Sequence, residues 1–362
     1  MVKITNQTTK EINVLIIRFY QLGFSYSIIQ HLSLFFITFA TFYMRGYLFI
    51  IYLIGFVFIS FSQTKTTKKQ VAYFRSIEYF NTEDSSKDYA VVYRPNQAPK
   101  ALLILLPGFG ESPQLAERET NIPEYAATAG ILTLIISNTD GNTSFYIDQK
   151  AQQYLDEMIP EWLIKYNITS GKYYLGGFSL GGSGVVKYVQ HCQIYDIPQK
   201  PTAVFAIDPP LDFYRMYKVY DKWLNDTSIS YLSKKQYQVF MDKMKVYFKG
   251  SVSDAYDNYM RLSPYSYEDK DNIGARLFGN TPIQIYSEPD FNWTLNEKHW
   301  DIYDLNIIDC ESFINHLQKN GNKNASLVIT LNKGKRKLLN IRHPHSWSIA
   351  DGNEVIKWLN RF

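Results

Sequence analysis

Residues Lys172–Val189 read KYYLGGFSLGGSGVVKYV. The stretch predicts a short strand, Lys172–Gly176, a sharp turn, Gly177–Phe178–Ser179–Leu180–Gly181, and then a helix. The helix follows from Val185, Val186, Val189 and Cys192, which share one apolar face. The turn has the form G-x-S-x-G, in which a serine on a tight strand-to-helix corner is lifted off the sheet edge. Residues flanking such a corner must lack bulk, and Gly177 and Gly181 meet that need. The new helix also points its first free N–H groups at the corner. Ser179 is therefore the candidate nucleophile.

A serine hydroxyl needs a base, an acid to orient that base, and N–H donors for the oxyanion that forms. Six histidines are available for the base. His343 and His345 lie in Ile341–Trp347, between the last expected strand and the last helix. That loop is on the serine's side of the sheet. His345 directly precedes a helix start and is preferred over His343. For the acid, Asp290 in Ser287–Glu288–Pro289–Asp290 is preferred, because the turn at Pro289 directs it back toward the sheet. Asp208, with a helix cap or turn as its plainer role, and Glu288 are the rivals. The loop Pro107–Ser112 follows a strand, and Gly108 and Gly110 free its backbone. The expected oxyanion donors are the N–H groups of Phe109 and Leu180.

The rest of the chain sets these residues in an alternating pattern. Val71–Phe80 and Tyr89–Tyr93 predict two strands. Ala101–Leu106 (ALLILL) is an unbroken apolar run, as expected of a strand buried on both faces, and Ile131–Ser137 (ILTLIIS) is another buried strand. Thr202–Ile207, Thr281–Tyr286 and Ser326–Leu331 complete the set. Helices are expected over Gln114–Gly130, interrupted near Pro123, and over Gln149–Tyr166, kinked or broken at Pro160. Two more are expected near Tyr303–Asn320 and Asn353–Asn360. The sum is an α/β protein with a mostly parallel sheet and helices on both faces. Residues 211–280 are too long for a plain connection. They hold ten tyrosines and a helical stretch at Leu232–Phe248. We expect a helical cap inserted over the strand ends.

Composition bounds the partners. Of 362 residues, 46% are hydrophobic and 20% charged, which predicts a packed core. Of the net charge of +4, most resides in residues 1–62, where Lys3, Lys10, Arg18 and Arg45 face only Glu11. The remainder is nearly neutral and offers no electrostatic case for nucleic acid. Cys192 and Cys310 form no C-x-x-C, so no thiolate zinc site is expected, and two buried free thiols are preferred over a Cys192–Cys310 disulfide. Residues 1–62 read as a leader and 63–70 as a linker, ahead of a domain over 71–362. The apolar run Tyr47–Phe61, after Met44–Arg45 and before small polar residues, has the form of a secretory signal peptide. In this reading Met44 is the true start and residues 1–43 lie upstream of it. An uncleaved membrane anchor is the second reading, and the only one that implies a membrane partner.

The order Ser179, Asp290, His345, the elbow Gly177–Gly181 and the loop Pro107–Gly110 resemble the α/β-hydrolase family over about Val71–Phe362. Pro107 departs from the histidine many members carry there, and the H-G-G-G run of one lipase and esterase group is absent. The resemblance implies a serine hydrolase of carboxylic esters that needs no cofactor and no metal. The signal-peptide form and the tyrosine-rich insertion, rather than the resemblance, point to a small-molecule or glycan-linked ester met outside the cytoplasm, by a secreted or envelope protein. A peptidase or acyltransferase on the same fold, or a non-catalytic binding protein, are the alternatives.

Overall fold

A computed structural model describes residues 73–80, 87–137 and 141–362. The expected leader, linker and start at Met44 lie outside the described residues. Eight strands form one sheet: β1 (Tyr73–Tyr79), β2 (Tyr89–Pro95), β3 (Ala101–Leu106), β4 (Ile131–Ser137), β5 (Tyr173–Phe178), β6 (Ala203–Ile207), β7 (Ile283–Ser287) and β8 (Ala325–Ile329). Their order is β1-β2-β4-β3-β5-β6-β7-β8. From β4 through β8 every pairing is parallel, and β2 is antiparallel to both its neighbours. The order reverses around β3, so β3 and β5 are neighbours although β4 lies between them in sequence. The loops after β3 and β5 therefore meet at one edge, where open parallel sheets place ligands.

Both faces of the sheet are covered, which is why β3 is apolar throughout and β4 is apolar at all but Thr133 and Ser137. One face packs Leu102, Ile104, Leu132 and Leu134 against α3 (Gln149–Lys165) and α4 (Leu180–Ile194). The other packs Leu103, Leu105, Ile131 and Ile135 against α1 (Pro113–Glu119), α2 (Ile122–Thr128) and the C-terminal helix Gly352–Leu359. The α1–α2 break falls at Thr120–Asn121, so Pro123 sits in the first turn of α2, where its missing N–H costs little. Pro160, by contrast, neither breaks nor ends α3. An interior proline costs about 3 kcal/mol. Ile159, Trp162 and Leu163 are buried beside it, and each such side chain returns roughly 1.5–3 kcal/mol. Packing wins.

Residues 211–280 are helical as expected: α5 (Phe213–Asn225), α6 (Tyr231–Phe248), α7 (Tyr256–Leu262) and α8 (Ile273–Phe278). They divide between two cores. Helices α5 to α7 share a cluster of Phe213, Met216, Tyr217, Met244, Phe248 and Tyr259, which reaches Leu180 beside the elbow. Ala275 and Phe278 of α8 instead join the core of the sheet. After β7 come α9 (Phe291–Lys298) and α10 (Ile307–Lys319). A two-stranded hairpin, β9 (Lys335–Arg336) with β10 (Ile341–Arg342), precedes His343–His345, and α11 is the C-terminal helix. Cys192 and Cys310 are both buried free thiols. Among the described residues no helix is long and apolar enough to cross a membrane.

Candidate active site

Ser179 stands between β5 and α4 at φ 52° and ψ −121°, a conformation that L residues rarely adopt. It persists because its surroundings hold it. Its N–H donates to the Ile207 carbonyl at 2.9 Å, and its carbonyl accepts from Ser183 N at 3.2 Å. A Cβ on Gly181 would lie 2.1 Å from the Leu106 carbonyl oxygen at the end of β3, so only glycine lets the elbow close against that strand.

His345 reaches the serine from the far end of the chain. Its Nε2 lies 3.0 Å from Ser179 Oγ, and its Nδ1 lies 2.6 Å from Asp208 Oδ2. The ring rests on Phe178, with centroids 4.7 Å apart. Asp208 follows β6 directly, at φ 45°. Its second oxygen accepts from Ser287 Oγ at 2.7 Å, and its carbonyl accepts from Asn306 Nδ2 at 3.0 Å. Ser183 Oγ donates to the Pro210 carbonyl at 2.5 Å, tying the elbow helix to the Asp208 loop.

The expected acid, Asp290, is elsewhere. One of its oxygens caps α9 by accepting from Trp293 N at 3.0 Å, and the other pairs with Arg342 Nη2 at 2.6 Å. Glu288 is also spent: it is fully buried and takes Arg342 at 2.5 Å, Thr330 Oγ1 and the N–H groups of Lys333 and Gly334. The carboxylate on His345 is thus the one after β6, not one after β7. The cap role weighed for Asp208 belongs to Asp212, which accepts from Arg215 N at the start of α5. A sequence signal existed: Arg342, just ahead of the histidine loop, is a natural counterion for acids after β7, which leaves Asp208 free.

The loop after β3 passes close to the serine. A Cβ on Gly108 would lie 2.9 Å from Phe178 Cδ1 and 3.4 Å from Ser179 Cβ, so the backbone needs glycine for this approach. Phe109 comes next, and both Phe109 and Leu180 line the cavity above Ser179. Leu180 opens α4, so its N–H is among the first-turn donors that lack a helical acceptor. Sequence reading missed the group that fixes this loop. Glu111 Oε2 accepts both from Gly108 N at 3.1 Å and from Trp347 Nε1 at 2.8 Å. Burial raises the pKa of this carboxyl, against the pull of its two donors. Glutamine offers the same acceptor oxygen, so Glu111→Gln is expected to keep most turnover. Glu111→Leu strands both N–H groups, and the displaced loop is expected to lower kcat about a hundredfold. Steady-state kinetics on the two variants check this; equal losses would remove Glu111 from the loop's support.

His343 is the second histidine of the loop. Its Nδ1–H donates to the His345 carbonyl at 2.8 Å, and its ring meets Trp293 edge-on. Burial, then the charges of His345 and Arg336, push its pKa down to about 3. The unfolded chain takes up this proton below pH 6.5, whereas the folded chain does not until about 3. The folded state should therefore lose stability as pH falls from 6.5 toward 3. His343→Gln is expected to flatten that loss in urea titrations across the window; an unchanged slope would contradict it.

The cavity above Ser179 has a volume of about 520 Å³, within the range of small-ligand sites. Met216, Val219 and Tyr220 of α5 and Tyr237 and Phe240 of α6 line it from above, with Trp293 and Trp300 at the side. Tyr220 and Tyr237 stack at 5.2 Å. Other tyrosines of the insertion, including Tyr259 and Tyr265, are buried in packing. Among the described residues no group of three His, Cys, Asp or Glu side chains is placed to hold a metal ion.

No protein-family model and no curated protein matches this sequence. Among solved structures, the chain is similar to the Pyrococcus furiosus esterase Pf2001, at 13% identity and a TM-score of 0.50, over 82% of this chain and 96% of that one. It is also similar to Mycobacterium tuberculosis MPT51 (FbpC1), at 13% identity and a TM-score of 0.50, over 80% and 98%. At such identity the likeness is one of fold.

Proposed function

We propose that this chain, which has the α/β-hydrolase fold, is a serine hydrolase of carboxylic esters. The observation that carries the proposal is the unbroken contact line from Ser179 Oγ through His345 to Asp208, at 3.0 and 2.6 Å, on the floor of a cavity lined by aromatic and charged side chains. Ser179 Oγ attacks the ester carbonyl carbon while His345 Nε2 takes its proton. Asp208 holds the Nδ1–H and stabilises the imidazolium. The N–H groups of Phe109 and Leu180 receive the oxyanion. The intermediate collapses, the C–O bond to the alcohol breaks, and His345 returns the proton to the leaving oxygen. Water, activated by the same imidazole, then releases the acid from Ser179. Helices α5 and α6 act as the cap that excludes solvent and shapes the substrate pocket. Support for action outside the cytoplasm comes from the apolar 47–61 run, and sequencing the mature N-terminus tests it.

The full chain should hydrolyse 4-nitrophenyl esters with saturation, faster than the matching anilides. Turnover that rises with an added acceptor alcohol would favour acyl transfer. Absence of turnover on every ester and anilide would leave a binding protein.

A further inference from the structure

The charged groups around the cavity are unequally satisfied. Asp208 is held by His345 and Ser287, Glu288 by Arg342, and Asp304 by Lys222. Arg215 is spent on Asp309. Two lining cations remain, Arg336 of β9 and Lys298 at the end of α9. Among the described residues neither has a hydrogen-bond or ion-pair partner for its side chain. Arg336 lies with its guanidinium 5.2 Å from the Phe178 ring centroid, beside Ser179. Glu111 and Glu119 act on it only through space; Glu119 spends both oxygens, and Glu111 its Oε2, on other donors. Both cations also act electrostatically on His343, whose ring centroid is 6.4 Å from that of His345. Both line the same cavity as His343 and His345.

We propose that Arg336 and Lys298 form an anion-binding subsite, so that the ester this protein prefers carries a carboxylate or phosphate group close to its reacting carbonyl. The proposal rests on the hydrolase reading above. A planar guanidinium with free donors, pre-set on an aromatic face, suits an oxyanion better than a neutral hydroxyl. Lys298 adds a flexible point charge. The aromatic wall of Tyr220, Tyr237 and Phe240 would take the apolar part of the same molecule.

The test compares two matched ester pairs on the full chain. Mono-4-nitrophenyl succinate against 4-nitrophenyl butyrate places the charge on the acyl side. 4-Carboxyphenyl butyrate against 4-carbamoylphenyl butyrate places it on the alcohol side. Inorganic phosphate and succinate, as competing inhibitors, separate phosphate from carboxylate. In at least one pair kcat/KM is expected to favour the anion about tenfold or more. That ratio should fall at least about tenfold in Arg336→Met, further in the Arg336→Met/Lys298→Met double variant, and with added salt. Lys298→Met alone, on a part-exposed helix end, reads the subsite if Arg336→Met does not fold. No preference for the anion in either pair, or a ratio untouched by both substitutions, would overturn the proposal. If no ester is turned over and Ser179 is not labelled by a fluorophosphonate, the hydrolase reading fails by itself. Calorimetric titration with succinate and with phosphate then decides the subsite: binding by the parent chain that Arg336→Met abolishes supports it, and no binding or equal binding overturns it.

Discussion

Asp208→Asn will lower kcat about 10,000-fold, while Asp290→Asn will lower it less than about tenfold. The difference follows from what each carboxylate faces. Asp208 accepts from His345 Nδ1 on one oxygen and from Ser287 Oγ on the other. An asparagine there has one acceptor and one donor. If its oxygen stays with Ser287, its NH2 faces Nδ1 and forces the proton onto Nε2. The imidazole can then no longer take the proton of Ser179. Asp290 touches neither histidine. Its loss frees one side of Arg342, which keeps Glu288 and the Gly334 carbonyl. Thermal unfolding of both variants shows whether they are folded, and kcat on a 4-nitrophenyl ester ranks them. The reverse ranking would return the orienting role to the strand after the insertion.

Asp309→Ala is expected to cost about 3–5 kcal/mol of stability, the usual result of leaving one partner of a buried ion pair alone. Asp309 is fully buried and Arg215 nearly so, joined by two bonds of 2.7 and 2.8 Å. The same carboxylate accepts from Asp212 N, while the guanidinium also donates to the carbonyls of Tyr303 and Leu305. The pair thus ties α5 of the insertion to α10 of the body. Its removal leaves a guanidinium beside the cavity without its counterion. Replacing both ends, as in Arg215→Met/Asp309→Leu, should cost less than Asp309→Ala, because no buried charge is left over. Urea denaturation of the two variants checks this. A double variant as unstable as the single would show that packing volume, not charge, governs the site.

The parts of the fold legible in the sequence were those with a local cause. ALLILL is apolar at every position, and ILTLIIS at all but Thr133 and Ser137, because helices cover both sides of β3 and β4. The elbow was legible because a corner so tight tolerates only glycine at Gly181. The approach of His345 to Ser179 was legible from its place before the last helix. The carboxylate that meets His345 was not, because Asp208, Glu288 and Asp290 all follow strands that end at the same edge. What separates them is a contact with Arg342, more than fifty residues beyond Glu288 and Asp290. The continuity of α3 through Pro160 was hidden for the same kind of reason, since Ile159, Trp162 and Leu163 find their partners on strands far along the chain. Glu111 was hidden too: its link to Trp347 spans 236 positions.

The most direct measurement of the central claim is peptide-level mass spectrometry of the folded full chain after treatment with a fluorophosphonate. The account predicts one adduct, on Ser179, formed quickly in the parent chain and at least a hundredfold more slowly after His345→Ala. An adduct on another residue, or labelling of Ser179 at an unchanged rate without the imidazole, would contradict it.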